Sequence, residues 1–486
     1  MTYKKRGALE NADLLLDQAL VAGEWISGEG EPNAVEDPFT GSEFAQVPSL
    51  GKAETHKAID AAEDAFAAWA GTLAADRGKI LRRWFDLLVK NRDDIARLIT
   101  LENGKTFEEA KGEVDYGAGF IEFFAEEATR ALGEVIPANK EGRRLLATRE
   151  PVGVTCAITP WNFPLAMLTR KVGPALAAGC TMVARPASAT PLTALAFARL
   201  GEEAGVPPGV FSVLTGSSSE IGGVLTASAK VRKLSFTGST EVGVKLYEQC
   251  AGTMKKLGLE LGGNAPLLIF DDADLETAVE TAATAKFRNG GQSCVAANRI
   301  YVQDGIRDRF LDAFARRVAG LKAGDGFDES NDIGPLINND AVAKVQEHLQ
   351  QALDGGARCL AGGGKAEGRV VQPTLIADVA HDAQLTCEET FGPLAAVIGF
   401  DTVEHGVELA NNTPFGLAAY MCSSDPATIA HVGRHLEAGM VGINTGLIST
   451  PHAPFGGVKM SGLGREGSHH GLEEYLNVKY LCEAGL

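Results

Sequence analysis

The sequence predicts an α/β protein of two doubly wound lobes with a small additional β element, and three observations lead there. From Pro151 onward, short apolar runs alternate with helical patterns at intervals of roughly 30 residues, the rhythm of βαβ units in a parallel sheet. A second series of the same kind starts at PLLIF (266–270). Two pieces, 131–149 and EEYLNVKYL (473–481), read as strands that fit neither series and need a partner sheet. The length of 486 residues accommodates two to four domains at about 150 residues each, every one large enough for its own core.

In chain order, the first 130 residues read as mainly helical. Ile59, Ala62, Phe66 and Trp69 form one apolar stripe, and 78–101 gives another. The strands of the first lobe are VGVTCAIT (152–159), TMVARP (181–186), VFSVLTG (210–216) and VRKLSFTG (231–238). Helices are expected at 165–178, 191–204, 219–228 and 240–251. After a boundary near 257–265 the second lobe runs from PLLIF through a helix opened by Asp272 or Asp274, then RIYVQ (299–303). Helices near 305–320 and 340–354 follow, with further strands at 394–400, 417–422 and 440–444.

Charge and cysteine usage exclude several functions. There are 45 Lys and Arg against 63 Asp and Glu, a net charge of −18, which repels a phosphate backbone or an anionic membrane surface. An anionic small molecule would need a local cluster of Arg or Lys. The N-terminus carries basic residues, but Asp13 and Asp17 break its Leu run, so no secretory signal is expected. The longest apolar stretch, 165–184, is interrupted by Arg170 and Lys171, so no membrane span is expected. Eight cysteines without a Cys-x-x-Cys pair or zinc spacing suit free thiols in a reducing cytoplasm, and no metal site is expected.

Four segments carry chemistry. FTGSTEVG (236–243) opens a helix with Gly238, Ser239 and Gly243, whose exposed N–H groups suit a pyrophosphate; a plain strand-to-helix turn is the other reading. No GxGxxG follows a first-lobe strand. FRNGGQSCVAANR (287–299) brings Cys294 up on a small, flexible approach, as a nucleophile or as a small buried hydrophobe. LELGGN (259–264) sets Glu260 beside a Gly pair, as a general base or a solvated edge charge. In TPWNFP (159–164), at the end of the first strand, Asn162 is an oxyanion donor or a structural turn residue.

TPWNFP, FTGS, LELGG, GQSC and EETFGPL (388–394), in this order, resemble the aldehyde dehydrogenase superfamily. The likeness extends from ITLENGKT (99–106) to PFGGVKMSGLGREG (454–467). It implies two Rossmann-like lobes: a dinucleotide-binding domain of 1–130 and 150–257, and a catalytic domain of 258–445. An oligomerisation element of 131–149 and 468–486 would pair between subunits of a homodimer or homotetramer, while 446–467 returns to the active-site region. It further implies Cys294 as nucleophile, Glu260 as base, Asn162 as oxyanion donor with the Cys294 N–H, Lys171 and Glu466 in proton relay or site support, and Phe455 as a tunnel wall.

Thr159, Trp161, Gly238, Ser239, Glu389 and Phe391 match positions that contact the dinucleotide. In RPAS, Arg185 and Ser188 replace the usual Lys and Glu, which removes a carboxylate that would repel a 2′-phosphate and implies NADP in preference to NAD. Arg170, Arg288 and Ser449 match the carboxylate clamp of succinate-semialdehyde dehydrogenases, with glutarate semialdehyde or sulfolactaldehyde as alternative substrates. Ala296 stands where that subfamily often has a second cysteine, so no thiol switch with Cys294 is expected. A catalytically silent structural oligomer is the reading from another class, and the presence of all three catalytic positions argues against it.

Overall fold

A computed structural model describes residues 7–485. The basic opening residues 1–6 on which the signal-peptide reading partly rests lie outside the described residues.

Two large sheets organise the chain. The first has six strands in the order Gly462–Leu463, Lys256–Glu260, Val231–Thr237, Val154–Ile158, Thr181–Arg185, Phe211–Val213, all parallel except the first. The second has seven, in the order Arg358–Ala361, Thr374–Ala377, Leu394–Phe400, Ala297–Gln303, Ala265–Ile269, Ala418–Cys422, Met440–Ile443, with only the outermost pair at Arg358–Ala361 antiparallel. The chain leaves one sheet at Glu260 and enters the other at Ala265. Both sheets are covered on both faces, which is why their strands read as continuous apolar runs rather than as alternations.

The helices between strands start and stop on local chemistry. Ser239 caps Thr240–Cys250 through the Val242 N–H, and Asp274, rather than Asp272, caps Leu275–Phe287 through the Thr277 N–H at 2.9 Å. Gly179 and Gly205 end Ala166–Ala178 and Leu192–Ala204 in the left-handed conformation. Every residue of Ala166–Ala178 is buried, Arg170 and Lys171 included. No described helix is long and apolar enough to cross a membrane.

The first 130 residues are mainly helical, from Lys52 to Arg130, but two hairpins that the sequence reading did not place, Ala19–Val21 with Glu24–Ile26 and Asn33–Asp37 with Ser42–Val47, precede the helices. The stripe over 78–101 belongs to two helices, Ala74–Lys90 and Arg92–Asn103, because Asn91 leaves the helical region at φ −101°, ψ 21° and serves as C-cap of one and N-cap of the other. The pieces at 131–149 and 473–481 do find a partner sheet, within the chain itself. Arg143–Pro151 pairs antiparallel with Leu476–Ala484 on one side and Glu134–Ile136 on the other.

Candidate active site

The carboxyl ends of the six-stranded sheet form the crevice where α/β folds hold ligands. Glu260 closes the strand Lys256–Glu260 opposite Thr237, and its carbonyl accepts the Gly238 N–H at 3.0 Å. Its carboxyl is buried, and Oε2 has no hydrogen-bond partner among the described residues. Burial, then the Glu466 carboxylate, push its pKa well above the usual range, against the pull of Lys171, Arg170 and Arg465.

Cys294 arrives from the other lobe. After Leu275–Phe287 the chain turns through left-handed Asn289 (φ 53°) and Gly290 (φ 62°), and the half-buried thiol follows. The Gly263 backbone presses against it: a Cβ there would stand 2.3 Å from the Cys294 carbonyl oxygen. Burial first, then Glu389, raises the thiol to about 12, with Glu260 adding to the rise and Arg170 opposing it. Burial thus favours the protonated thiol over the thiolate.

Asn162 is tied to the same loop, its Nδ2 donating to the Gln292 carbonyl at 3.1 Å. Its own carbonyl accepts from Lys105 Nζ at 2.9 Å and Asn289 Nδ2 at 3.0 Å, while Asn103 Nδ2 donates to the Trp161 carbonyl at 3.0 Å. Lys105 is paired in turn with Glu113 at 2.5 Å, and Glu113 accepts the N–H groups of Leu165 (2.9 Å) and Ala166 (3.3 Å) at the start of Ala166–Ala178. Sequence reasoning assigned no role to Asn103, Lys105, Glu113 or Asn289. Asn103 and Lys105 lie in ITLENGKT and Asn289 in FRNGGQSCVAANR, both noted for other reasons, whereas Glu113 lies in no quoted motif.

From that helix, Lys171 donates to Ser235 Oγ at 3.1 Å and to Glu466 Oε1. Arg170, 1% exposed, donates through Nη2 to the Tyr116 hydroxyl, lies over the Phe455 ring at 4.5 Å, and leaves Nε and Nη1 without hydrogen bonds among the described residues. Tyr116 is a further contact that sequence reasoning missed. Arg288 is half-buried, with its guanidinium 5.2 Å from the Phe163 ring centroid. The structure brings Arg170 and Phe455 together, Arg288 acts by its charge on the Tyr420 hydroxyl, which Cys294 also influences, and Ser449 is half-buried.

Around the first sheet, Arg185 Nη2 donates to Ser188 Oγ (2.7 Å), the Gly216 carbonyl (3.1 Å) and Ser218 Oγ. Trp161 meets Phe391 edge-on at 5.6 Å, and Phe391 holds a φ of 55°. Glu389 accepts the Gly263 N–H at 3.3 Å, and burial lifts its pKa to about 7. Thr159 donates its N–H to the Arg185 carbonyl, and a Cβ on Gly238 would meet the Phe236 ring at 2.4 Å.

Comparison with known proteins gives the same picture. The chain is 54% identical over 477 residues to the NADP(+) succinate-semialdehyde dehydrogenase GabD of Escherichia coli (strain K12), covering 98% of this chain and 99% of that one. It is 54% identical over 475 residues to a glutarate-semialdehyde dehydrogenase of Pseudomonas putida, with the same two coverages of 98% and 99%. The crystal structure of succinate-semialdehyde dehydrogenase from Burkholderia pseudomallei superimposes with a TM-score of 0.97 at 51% identity, over 99% of this chain and 100% of that one. With the family model described as "Aldehyde dehydrogenase family" matching residues 25–481, this chain belongs to the aldehyde dehydrogenase family.

Proposed function

We propose that the protein oxidises succinate semialdehyde to succinate with NADP as acceptor, in the cytoplasm and as a homodimer or homotetramer. The observation that carries the substrate is Arg170, a fully buried guanidinium whose charge bears on the Cys294 thiol and whose Nε and Nη1 make no hydrogen bond among the described residues, Nη1 having only a loose ion pair with Glu466 at 3.5 Å. Buried donors without partners are costly, and the carboxylate of a short anionic aldehyde meets them. Arg288 over Phe163 is the second cation, and Ser449 the hydroxyl that completes the clamp.

The first sheet fits a dinucleotide. Thr159 Oγ1, Thr237 Oγ1 and Arg185 Nε are buried without hydrogen-bond partners among the described residues, at the carboxyl ends of three adjacent strands. Arg185 and Ser188 would hold the 2′-phosphate, Ser239 and Gly238 the pyrophosphate end, and Glu389, Trp161 and Phe391 the remainder. When bound, NADP supplies the hydride acceptor for the oxidation.

Glu260 takes the proton as Cys294 attacks the aldehyde carbon, and Asn162 with the Cys294 N–H receives the oxyanion. After oxidation to the thioester, Glu260 gives up that first proton to solvent, then accepts a proton from water as the C–O bond forms and passes it to the sulfur as the C–S bond breaks, leaving succinate and the Cys294 thiol. Lys171 and Glu466 support this site. Cysteines that are all free suit a reducing compartment. Exposed Val135, Val478 and Tyr480 on the three-stranded sheet support self-association.

Steady-state kinetics on succinate semialdehyde, glutarate semialdehyde, sulfolactaldehyde and propanal, with both cofactors, test this. Two charge-assisted hydrogen bonds at about 1.5–3 kcal/mol each predict a kcat/KM advantage over propanal of about 10²-fold or more, lost in Arg170→Ala and Arg288→Ala. Equal activity on propanal and succinate semialdehyde removes the clamp, a tenfold preference for NAD removes the cofactor assignment, and dehydrogenase activity in Cys294→Ala removes the nucleophile.

A further inference from the structure

Glu466 is shared between two cations. Its Oε1 accepts from Lys171 Nζ and, at 3.5 Å, from Ser235 Oγ, while its Oε2 lies 3.5 Å from Arg170 Nη1 and makes no hydrogen bond. The Tyr475 hydroxyl, hydrogen-bonded to Ser235, feels the charge of the same carboxylate. Glu260 sees Glu466 as a like charge and Lys171, Arg170 and Arg465 as opposite charges. Cys294 sees Arg170, Glu260 and Glu389.

Arg170 occupies two positions in this network at once. Its contact with Glu466 is a loose ion pair without hydrogen-bond geometry, and Nε and Nη1 stay open. It is also one of the cations that oppose the rise in the Glu260 pKa. A carboxylate bound to the open edges neutralises that guanidinium, and Glu260 is left facing Glu466 with less compensation, which makes it the stronger base.

We propose that Arg170 couples substrate charge to thioester hydrolysis: the substrate's carboxylate, by occupying Arg170, strengthens the base that opens its own thioester. In that step a water proton passes to Glu260, the C–O bond forms as the C–S bond breaks, and the proton returns to the Cys294 sulfur. The proposal rests on the roles given above to Glu260 and Arg170, and deepens them. Anionic aldehydes are then distinguished in the hydrolytic step as well as in binding.

The test follows decay of the acyl-enzyme by rapid quench between about pH 5.5 and 9, after loading with succinate semialdehyde or with butanal. In the wild-type enzyme the acid limb for the anionic acyl group is expected about half a pH unit or more above that for the neutral one. In Arg170→Gln the two limbs are expected to coincide. Coincident limbs in the wild type, or a separation that persists in Arg170→Gln, overturn the coupling. The wild-type comparison needs no variant and so stands even if Arg170→Gln folds poorly. Steady-state preference is read separately: an Arg170→Gln enzyme that still favours the anionic aldehyde removes the clamp itself, whereas lost preference with coincident wild-type limbs removes the coupling alone.

Discussion

Lys105 and Glu113 form an ion pair sealed from solvent, and between them they hold both ends of the segment that presents Asn162. The ammonium grips the Asn162 carbonyl while the carboxylate caps the helix carrying Arg170 and Lys171. Removing one member strands the other charge in a buried site, a loss of about 3–5 kcal/mol. Glu113→Ala should therefore lower the unfolding free energy by about that amount in urea titrations, and kcat should fall with it because Asn162 loses its mooring. A change under about 1 kcal/mol would show that water or a rearranged neighbour takes the place of the carboxylate. The pair explains where residue-level reading stopped. Cys294, Glu260 and Asn162 stood out because they sit in short glycine- or proline-flanked runs after strands. Lys105, Glu113 and Tyr116 lie on or before helices of ordinary composition, and their role exists only once those helices pack against a loop more than forty residues away.

At the scale of elements, the parallel strands and their helices were legible because burial on both faces writes long apolar runs and capping residues into the sequence. The hairpin at Ala19–Ile26 was not, since strands of three residues are too short to show an alternation. Arg358–Ala361 and Thr374–Ala377, four residues each, escaped for the same reason. One junction is decisive for chemistry: the turn from Glu260 into the second lobe, where Gly263 leaves room for the Cys294 backbone. A Cβ at 2.3 Å from a carbonyl oxygen must displace either the turn or the loop that carries Cys294, the proposed nucleophile. Displacement of the reacting group by about 1 Å costs about 10²-fold in rate, so Gly263→Ala is expected to lose about that in kcat. Circular dichroism should remain that of the wild type, and a variant with full kcat would show that the Cys294 loop yields without moving the sulfur.

For the whole molecule the question is how a chain of net charge −18 takes an anionic substrate. The two fields act over different distances. At an ionic strength of about 0.01 M the Debye length is about 30 Å, and an approaching anion feels the negative surface of the entire molecule; at about 0.15 M it is about 8 Å, and that repulsion is largely screened. Arg170 is buried and acts over a few ångströms, where salt screens little. Adding salt thus removes the opposing field and spares the attracting one. Between about 0.01 and 0.15 M, kcat/KM for succinate semialdehyde at saturating cofactor should rise by about twofold or more, while that for propanal stays level. A steady fall with salt for the anionic aldehyde would mean that the cations of the crevice project their field beyond its mouth and steer the substrate in, which would put Arg288, the more exposed of the pair, ahead of Arg170 in setting the rate of approach.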